Sequence, residues 1–284
     1  MISGYIIEKY SNMQGAYTCN RLLEEARRED VDLRLIGIHD TIIDNSGIYV
    51  SGKMVDKRDF AINRYKTGNI KNEINSLVLR SYNELNSFRT YINKFEQVKR
   101  IHSNSFYMPK TILCTYGINY KYVTEILGSP FVAKGLESSM GQEIYLIKTE
   151  EDFLQLLNGN EQKKEWLLEE FISSSFGRDI RVFSIKGKPE ACMIRKSSSD
   201  FRANVALGAS VQGIEATSEI KQITDDIYMQ TKLDFLGIDL LFGENGLCFC
   251  EINVMPGLEG IESATKINLA NKIIRTIKSD LRNE

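Results

Sequence analysis

The sequence predicts a mixed α/β chain built from more than one unit. Short apolar strands alternate with amphipathic helices from the first residues onward. Strands become denser after residue 165 while helices persist, the pattern of α/β or α+β layers. The 284 residues are 42% hydrophobic and 26% charged, enough apolar material for two average domains.

In order along the chain, residues 5–7 and 31–38 read as strands, and Tyr17 to Arg28 reads as a helix with Leu22, Leu23 and Ala26 on one side. Ser46 to Lys53 places turn residues around a short strand, and Phe60 to Arg64 reads as another. Residues 71–102 are polar and mostly helical in pattern. A second region opens near Met108-Pro109-Lys110-Thr111. Its helix, Tyr120 to Leu127, stops at Gly128-Ser129-Pro130, and the strand Phe131-Val132-Ala133-Lys134 follows. The small, polar loop Ser138 to Gln142 leads to a strand over Ile144 to Ile147. Thr149 with Asp152 three residues later marks a helix start for 150–157, and Asn158 to Glu165 reads as a surface connection. In the third region Trp166 to Ile172, Asp179 to Ile185 and Ala191 to Arg195 are extended. Ile220, Ile223, Ile227 and Leu233 define an amphipathic helix over about Ser218 to Leu236. Two strands and a terminal helix, Ile267 to Leu281, complete the reading.

Charge and composition exclude several functions. Lys plus Arg is 36 and Asp plus Glu is 38, a net charge of -2, so the chain lacks the basic field of a nucleic-acid or anionic-membrane binder. No apolar run nears the roughly 18 residues of a membrane helix. The start, Met1 to Glu8, reads as a first strand rather than a signal peptide. Five scattered cysteines without CxxC fit reduced thiols and a cytoplasmic location. His39 and His102 fall in no catalytic or zinc motif.

The most informative segment is Gly237 to Asn253. Two strands flank Glu244-Asn245-Gly246, a three-residue loop in which Gly246 takes the left-handed position. With Gly243 and Leu247 closing that loop, Leu241 faces Phe249 and Asp239 faces Glu251. Alternation adds Asn253 to the face of Glu251 and sends Cys248 and Cys250 to the core side. Two opposed carboxylates repel unless a cation lies between them. With an amide oxygen they form a hard set suited to Mg²⁺ or Mn²⁺. Read alone, the same residues equally describe a solvated acidic face.

Glu251-Ile252-Asn253-Val254-Met255-Pro256-Gly257-Leu258-Glu259-Gly260-Ile261-Glu262 resembles the closing motif of RimK-type ATP-grasp ligases, the alpha-L-glutamate ligase family. Gly177-Arg178-Asp179-Ile180-Arg181 and Asp200-Phe201-Arg202-Ala203-Asn204 resemble two further motifs, in the right order and at about the right spacing. The likeness covers roughly residues 93–284, while residues 1–92 share only the general look of the family's first domain. It implies an ATP-grasp fold, α/β (α+β) in class: a small N-terminal α/β domain (1–97), a central lid subdomain (98–171) and a C-terminal subdomain with the metal hairpin (172–284). The implied reaction joins a carboxylate to an amine through an acyl phosphate, with ATP and Mg²⁺ or Mn²⁺, two ions in all. No protein nucleophile is needed, only positioning and charge neutralisation.

The resemblance also implies roles. Lys94 and Lys134 meet nucleotide phosphates; without it they read as a solvated helix lysine and a strand-end lysine reaching solvent. Ser138, Ser139 and Gly141 belong to the loop that closes over the phosphates with backbone N–H groups, here poorer in glycine than usual. Glu169, Glu170, Phe171 and Ile172 match the hinge that receives adenine, and Asp179 the acid near the ribose. Arg195 and Arg202 balance charge on the acyl phosphate, and Ala203 and Asn204 complete that segment. Asp239, Glu251 and Asn253 become the metal ligands. Glu259 and Glu262 read as exposed helix-start acids, and Arg64 as a substrate contact from the first domain. The expected partners are ATP, an amino acid with glutamate favoured, and an acceptor that is a peptide, protein tail, carrier or metabolite. Nucleic acid and membrane are not expected; homo-oligomerisation is left open. The closing motif is nearer to the protein-tail glutamate ligases than to the lysine-pathway branch. The alternatives are a biosynthetic ligase for a metabolite or carrier-bound acid and a non-catalytic ATP-binding regulatory protein. The intact acids and lysines speak against the latter.

Overall fold

The computed structural model describes residues 1–11, 16–66, 68–115, 117–138, 143–159, 165–205 and 208–283. The first third contains β1 (Ser3–Glu8), α1 (Tyr17–Arg28), β2 (Asp32–Gly37), β3 (Thr41–Asp44), β4 (Gly47–Val50), β5 (Lys53–Met54), β6 (Arg58–Asn63), α2 (Asn69–Ser76), β7 (Val78–Tyr82) and α3 (Leu85–Tyr91). Then come α4 (Lys94–Arg100), β8 (Thr111–Cys114), α5 (Tyr120–Leu127), β9 (Phe131–Gly135), β10 (Ile144–Ile147), α6 (Glu150–Asn158) and β11 (Trp166–Glu170). The last third holds β12 (Arg178–Ile185), β13 (Lys188–Lys196), β14 (Ser210–Ile214), α7 (Ser218–Thr231), β15 (Phe235–Gly243), β16 (Gly246–Asn253), α8 (Glu259–Thr265) and α9 (Leu269–Asn283).

The first sheet is parallel, in the order β2-β1-β6-β7. Its inner strands are apolar on both faces, as a sheet covered on both sides requires: Ile6, Ile7, Phe60 and Ala61 are fully buried. Gly4 lies under Phe60, whose ring would come within 2.4 Å of an added Cβ. A three-stranded meander, β3-β4-β5, is inserted between β2 and β6. The second sheet is antiparallel, β10-β9-β11-β8. Its core joins Phe131, Ala133 and Leu168 to Val123 of α5 and Phe153 of α6. The capping box foreseen at Thr149 and Asp152 forms there. The third sheet, β14-β13-β12-β15-β16, is also antiparallel, and α7 lays Ile220, Ile223 and Ile227 on it.

The first and third sheets share a core. Ile6, Leu22, Phe60 and Tyr82 pack in one cluster with Phe183, Phe235, Leu258 and Ile273. Asn83 joins them by hydrogen bonds. Its Nδ2 donates to the carbonyls of Phe235 (2.8 Å) and Val254 (3.1 Å), and its Oδ1 accepts from Phe235 N at 2.8 Å.

Three expectations need correction. The region read as mostly helical, 71–102, does hold α2, α3 and α4, but it also contains β7, because Val78 to Tyr82 fills the edge of the parallel sheet beside β6. The helix drawn to Leu236 ends at Thr231, where Lys232 turns left-handed (φ 53°), and Phe235 and Leu236 belong to β15. The β15–β16 loop has two residues rather than three, since Gly243 pairs with Gly246. Among the described residues no helix is long and apolar enough to cross a membrane.

One buried charge belongs to the scaffold. Lys71 on α2 is 1% exposed. Its Nζ donates to the carbonyls of Tyr65 (2.8 Å) and Lys66 (3.1 Å) and lies 3.3 Å from the centre of the Phe88 ring. It thereby fixes the turn that carries Arg64, whose Nη1 donates to Pro256 O at 3.2 Å. Burial, with the charge of Arg89, pulls the Lys71 amine down to about 7. An unfolded lysine keeps its proton to roughly pH 10.4. Above pH 7 the unfolded chain therefore binds more protons, and stability attributable to Lys71 rises with pH. Between pH 7 and 8.5 wild type should gain on the order of 1–2 kcal/mol relative to Lys71→Met, measured by urea unfolding at both pH values; parallel pH dependences would refute the assignment.

Candidate active site

Strand register assembles a row of alternating charge across the third sheet. Asp179 on β12 faces Arg195 on β13, Arg181 on β12 faces Asp239 on β15, and Asp239 faces Glu251 on β16. Asp179 and Arg181 are two residues apart and share a face, as Glu251 and Asn253 do. Arg195 donates to both oxygens of Asp179, at 2.6 and 2.7 Å, and reaches Asp239 Oδ2 at 3.0 Å. Arg181 also binds Asp239 through two nitrogens, Nε to Oδ1 and Nη2 to Oδ2, the latter at 2.6 Å. Asp239 is 3% exposed, Arg195 7% and Asp179 8%. Such planar two-point pairs are what arginine geometry favours.

These pairings set the protonation of the acids. Burial raises the proton affinity of Asp239, but Arg181 and Arg195 outweigh it and hold the carboxyl down at about 2. Asp179 has one guanidinium, shared with Asp239. Burial dominates there, and its carboxyl is pushed up to about 6.

The asparagine amide Nδ2 of Asn253 donates to Glu251 Oε1 at 3.3 Å, so the face read from the sequence does form. It forms by another route. Leu240 rather than Leu241 faces Phe249, because the loop is one residue shorter, and Asp239 still faces Glu251, because Cys250 is an extra residue in β16. The shorter loop shifts the register by one, and this bulge shifts it back. The bulge also corrects the reading of the cysteines. Cys248 is buried, whereas Cys250 Sγ lies 3.8 Å from Lys134 Nζ, on the acid-bearing side.

Two buried lysines border the row, and neither reaches solvent. Lys134 on β9 binds Glu169 Oε1 on β11 at 2.7 Å and Cys250 O at 3.4 Å. Burial works against its charge, but Cys250, Glu169 and Glu251 outweigh it, so the ammonium keeps its proton above the usual lysine range. Lys94, the first residue of α4, donates to Ser138 O at 2.6 Å and lies 3.7 Å from Glu251 Oε2. Strands from both antiparallel sheets thus meet at one cluster.

Other candidate residues are placed around it. Glu170 turns away from Glu169 and accepts from Tyr107 OH (2.7 Å) and Lys110 N (3.1 Å). Phe171 meets Phe176 and Phe201 edge-on, each at 6.3 Å. A cavity of about 500 Å³ is lined by Glu170, Phe171, Ile172, Tyr107 and Leu247, among others. Arg202 lies on the loop between β13 and β14, bound to Asp200 through Nε (3.0 Å) and Nη2 (2.7 Å), with Nη1 3.4 Å from Ile144 O on β10. Ala203 is buried next to it, and Asn204 follows. Ser139 and Gly141 lie outside the described residues. Glu262 is not an exposed acid. It is 7% exposed and accepts from Tyr17 OH (2.8 Å) and Ala270 N (3.0 Å), because α1 and the start of α9 pack on α8. The sequence pattern did not single out Arg181 as a functional residue, although its period-two spacing from Asp179 places it on the same face.

Among the described residues no group of three or more His, Cys, Asp or Glu side chains is arranged to hold a metal ion. The donor set here is two facing carboxylates and one amide, all hard oxygen donors. It fits Mg²⁺ or Mn²⁺ if phosphate and water complete the six ligands.

The three larger sheets, with a basic and acidic cluster between the second and third, define an α/β protein of the ATP-grasp fold. The solved ATP-grasp ligase PsnB, in complex with a minimal precursor, superposes with a TM-score of 0.73 over 98% of this chain and 99% of that one, at 13% identity. The family model of the RimK-like ATP-grasp domain matches residues 92–277, and the chain belongs to that family. A probable alpha-L-glutamate ligase of Shewanella pealeana is 26% identical over 242 residues, 82% of this chain and 53% of that protein. One from Legionella pneumophila strain Corby is 37% identical over 153 residues, 53% of this chain and 51% of that protein. The chain thus spans about half the length of these relatives.

If Lys94 meets nucleotide phosphate, as the sequence resemblance implies, Lys94→Ala should weaken binding of a non-hydrolysable ATP analogue by about 1.5–3 kcal/mol, tenfold or more. Titration calorimetry reads this directly; unchanged affinity in a folded variant would remove Lys94 from the nucleotide site.

Proposed function

We propose that this chain is an ATP-dependent carboxylate–amine ligase that forms an amide bond through an acyl phosphate and adds glutamate to a peptide or protein acceptor. The observation that carries the reading is the row of alternating charge flanked by Lys94 and Lys134 in a chain of the RimK-like family. It provides hard oxygen ligands and fixed positive charge side by side, the pair of demands that phosphoryl transfer makes. The glutamate reading is supported by the names of the curated relatives, and a peptide as substrate by the precursor peptide in a solved PsnB complex.

In this proposal residues 1–97, 98–171 and 172–284 are the N-terminal α/β, lid and metal-hairpin domains, with nucleotide between the last two. Glu169 to Ile172 form the adenine hinge, and the cavity beside Phe171 and Ile172 has room for a purine. Lys94 and Lys134 bind phosphates, joined by the loop of Ser138, Ser139 and Gly141. Asp239, Glu251 and Asn253 hold one or two divalent cations, which supply Lewis-acid neutralisation of the phosphate oxygens when bound. Arg195 stabilises charge that grows on the acyl phosphate. We assign Asp179 to holding Arg195 in place rather than to the ribose, since both its oxygens accept from that guanidinium. Arg202, Ala203 and Asn204 approach from the β13–β14 loop and contact the transferred phosphoryl group. The histidines take no part, and the reaction asks for no protein nucleophile.

The test supplies candidate acceptors with ATP and pooled amino acids and reads the mass added to each. Glutamate addition with ADP and phosphate is expected, and heavy oxygen from the activated carboxylate should appear in the phosphate. Glu251→Gln should fold normally and lose most of this turnover. AMP and pyrophosphate as products, or full activity of Glu251→Gln at ordinary magnesium, would overturn the proposal.

A further inference from the structure

Asp239, to which the proposed function assigns a divalent cation, has both carboxylate oxygens engaged by guanidinium N–H groups. Glu251, across the strand pair, faces the Lys94 ammonium at 3.7 Å. A dication arriving alone must share Asp239 with two fixed positive charges, in a cluster whose acids and bases are already matched. Like charges a few ångströms apart in a poorly solvated site repel strongly.

The two arginines are not equally free to yield. Arg195 is also tied to both oxygens of Asp179 and is 9% exposed along its side chain. Among the described residues Arg181 makes side-chain hydrogen bonds to Asp239 alone, and its side chain is 16% exposed. A triphosphate at Lys94 and Lys134 offers Arg181 another anion. It also brings the negative charge that a cation needs to enter without unbalancing the cluster.

We propose that Arg181 is an internal counter-ion that closes Asp239 to a lone divalent cation, so that cation and nucleotide bind as one ligand, the triphosphate drawing Arg181 off the carboxylate. This rests on the metal role proposed for Asp239, and it concerns a residue distinct from the assigned ligands.

The test is Mn²⁺ binding to the full chain, measured by calorimetry and by loss of the free-ion electron paramagnetic resonance signal, without any turnover. Wild type should bind Mn²⁺ alone at least tenfold more weakly than it does with a saturating non-hydrolysable ATP analogue, after correction for Mn²⁺ held by free analogue. Arg181→Met should gain at least tenfold affinity for Mn²⁺ alone, Arg181→Lys should stay near wild type, and Arg181→Met with Asp239→Asn should lose the gain. Equal Mn²⁺ affinity of wild type with and without analogue would overturn the counter-ion role while leaving the metal site standing; this arm needs no variant. A folded Arg181→Met that gains no affinity would overturn that role as well. Analogue binding that is indifferent to Mn²⁺ would instead overturn the metal reading itself.

Discussion

The structure depends on one constraint: three buried charged side chains, Asp179, Arg195 and Asp239, and the half-buried Arg181, gathered on one face of the third sheet. A buried carboxylate without a partner is strongly unfavourable, and so is a buried guanidinium. The register in which β13, β12 and β15 place them opposite one another satisfies all four. A slip of one residue in any of these ladders would turn a charge into the apolar core and leave its partner stranded. The same register presents Glu251 and Asn253 at the sheet edge, where the two lysines approach. Fold and site are thus specified by the same pairings.

The rest of the chain serves to bring the second sheet and the first to this row. Lys134 and Glu169 meet across β9 and β11, and Lys94 ties α4 to the carbonyl of Ser138. On the other side, Asn83 satisfies three backbone groups of the hairpin region. Tyr17 joins Glu262 on α8, and Arg64 joins Pro256. The parallel sheet therefore meets the 254–262 segment along its own carboxyl edge, where open α/β sheets place ligands.

Much of this was legible in the sequence. The hairpin acids could be placed because side chains alternate along a strand, and the capping box at Thr149 and Asp152 because its spacing is local. What escaped was non-local or compensating. The loop is one residue shorter than its composition suggests, and the bulge at Cys250 restores the pairing of Asp239 with Glu251. The right answer was reached through a register that differs beyond the bulge. Lys94 and Lys134 read alone as solvated, because nothing near them in sequence announces Glu251 or Glu169. Arg181 was visible in principle through its spacing from Asp179, but its partner lies 58 residues away. β7 was hidden in a polar stretch because its pairing with β6 fixes it, not its composition. Nothing local in residues 1–92 foretells the core they share with α9.

The most direct measurement is a double-mutant cycle on stability with Asp239→Asn and Arg195→Met, by denaturant unfolding of the four proteins. If the row is one coupled unit, Asp239→Asn leaves Arg181 without its acid and Arg195→Met leaves Asp179 without its base, at about 3 kcal/mol or more each. In the double variant, by contrast, Arg181 and Asp179, on one strand face, balance each other. The double variant should then be milder than the sum of the singles by at least about 1.5 kcal/mol. Additive losses would show that Asp239 and Arg195 stand independently, and would contradict the account.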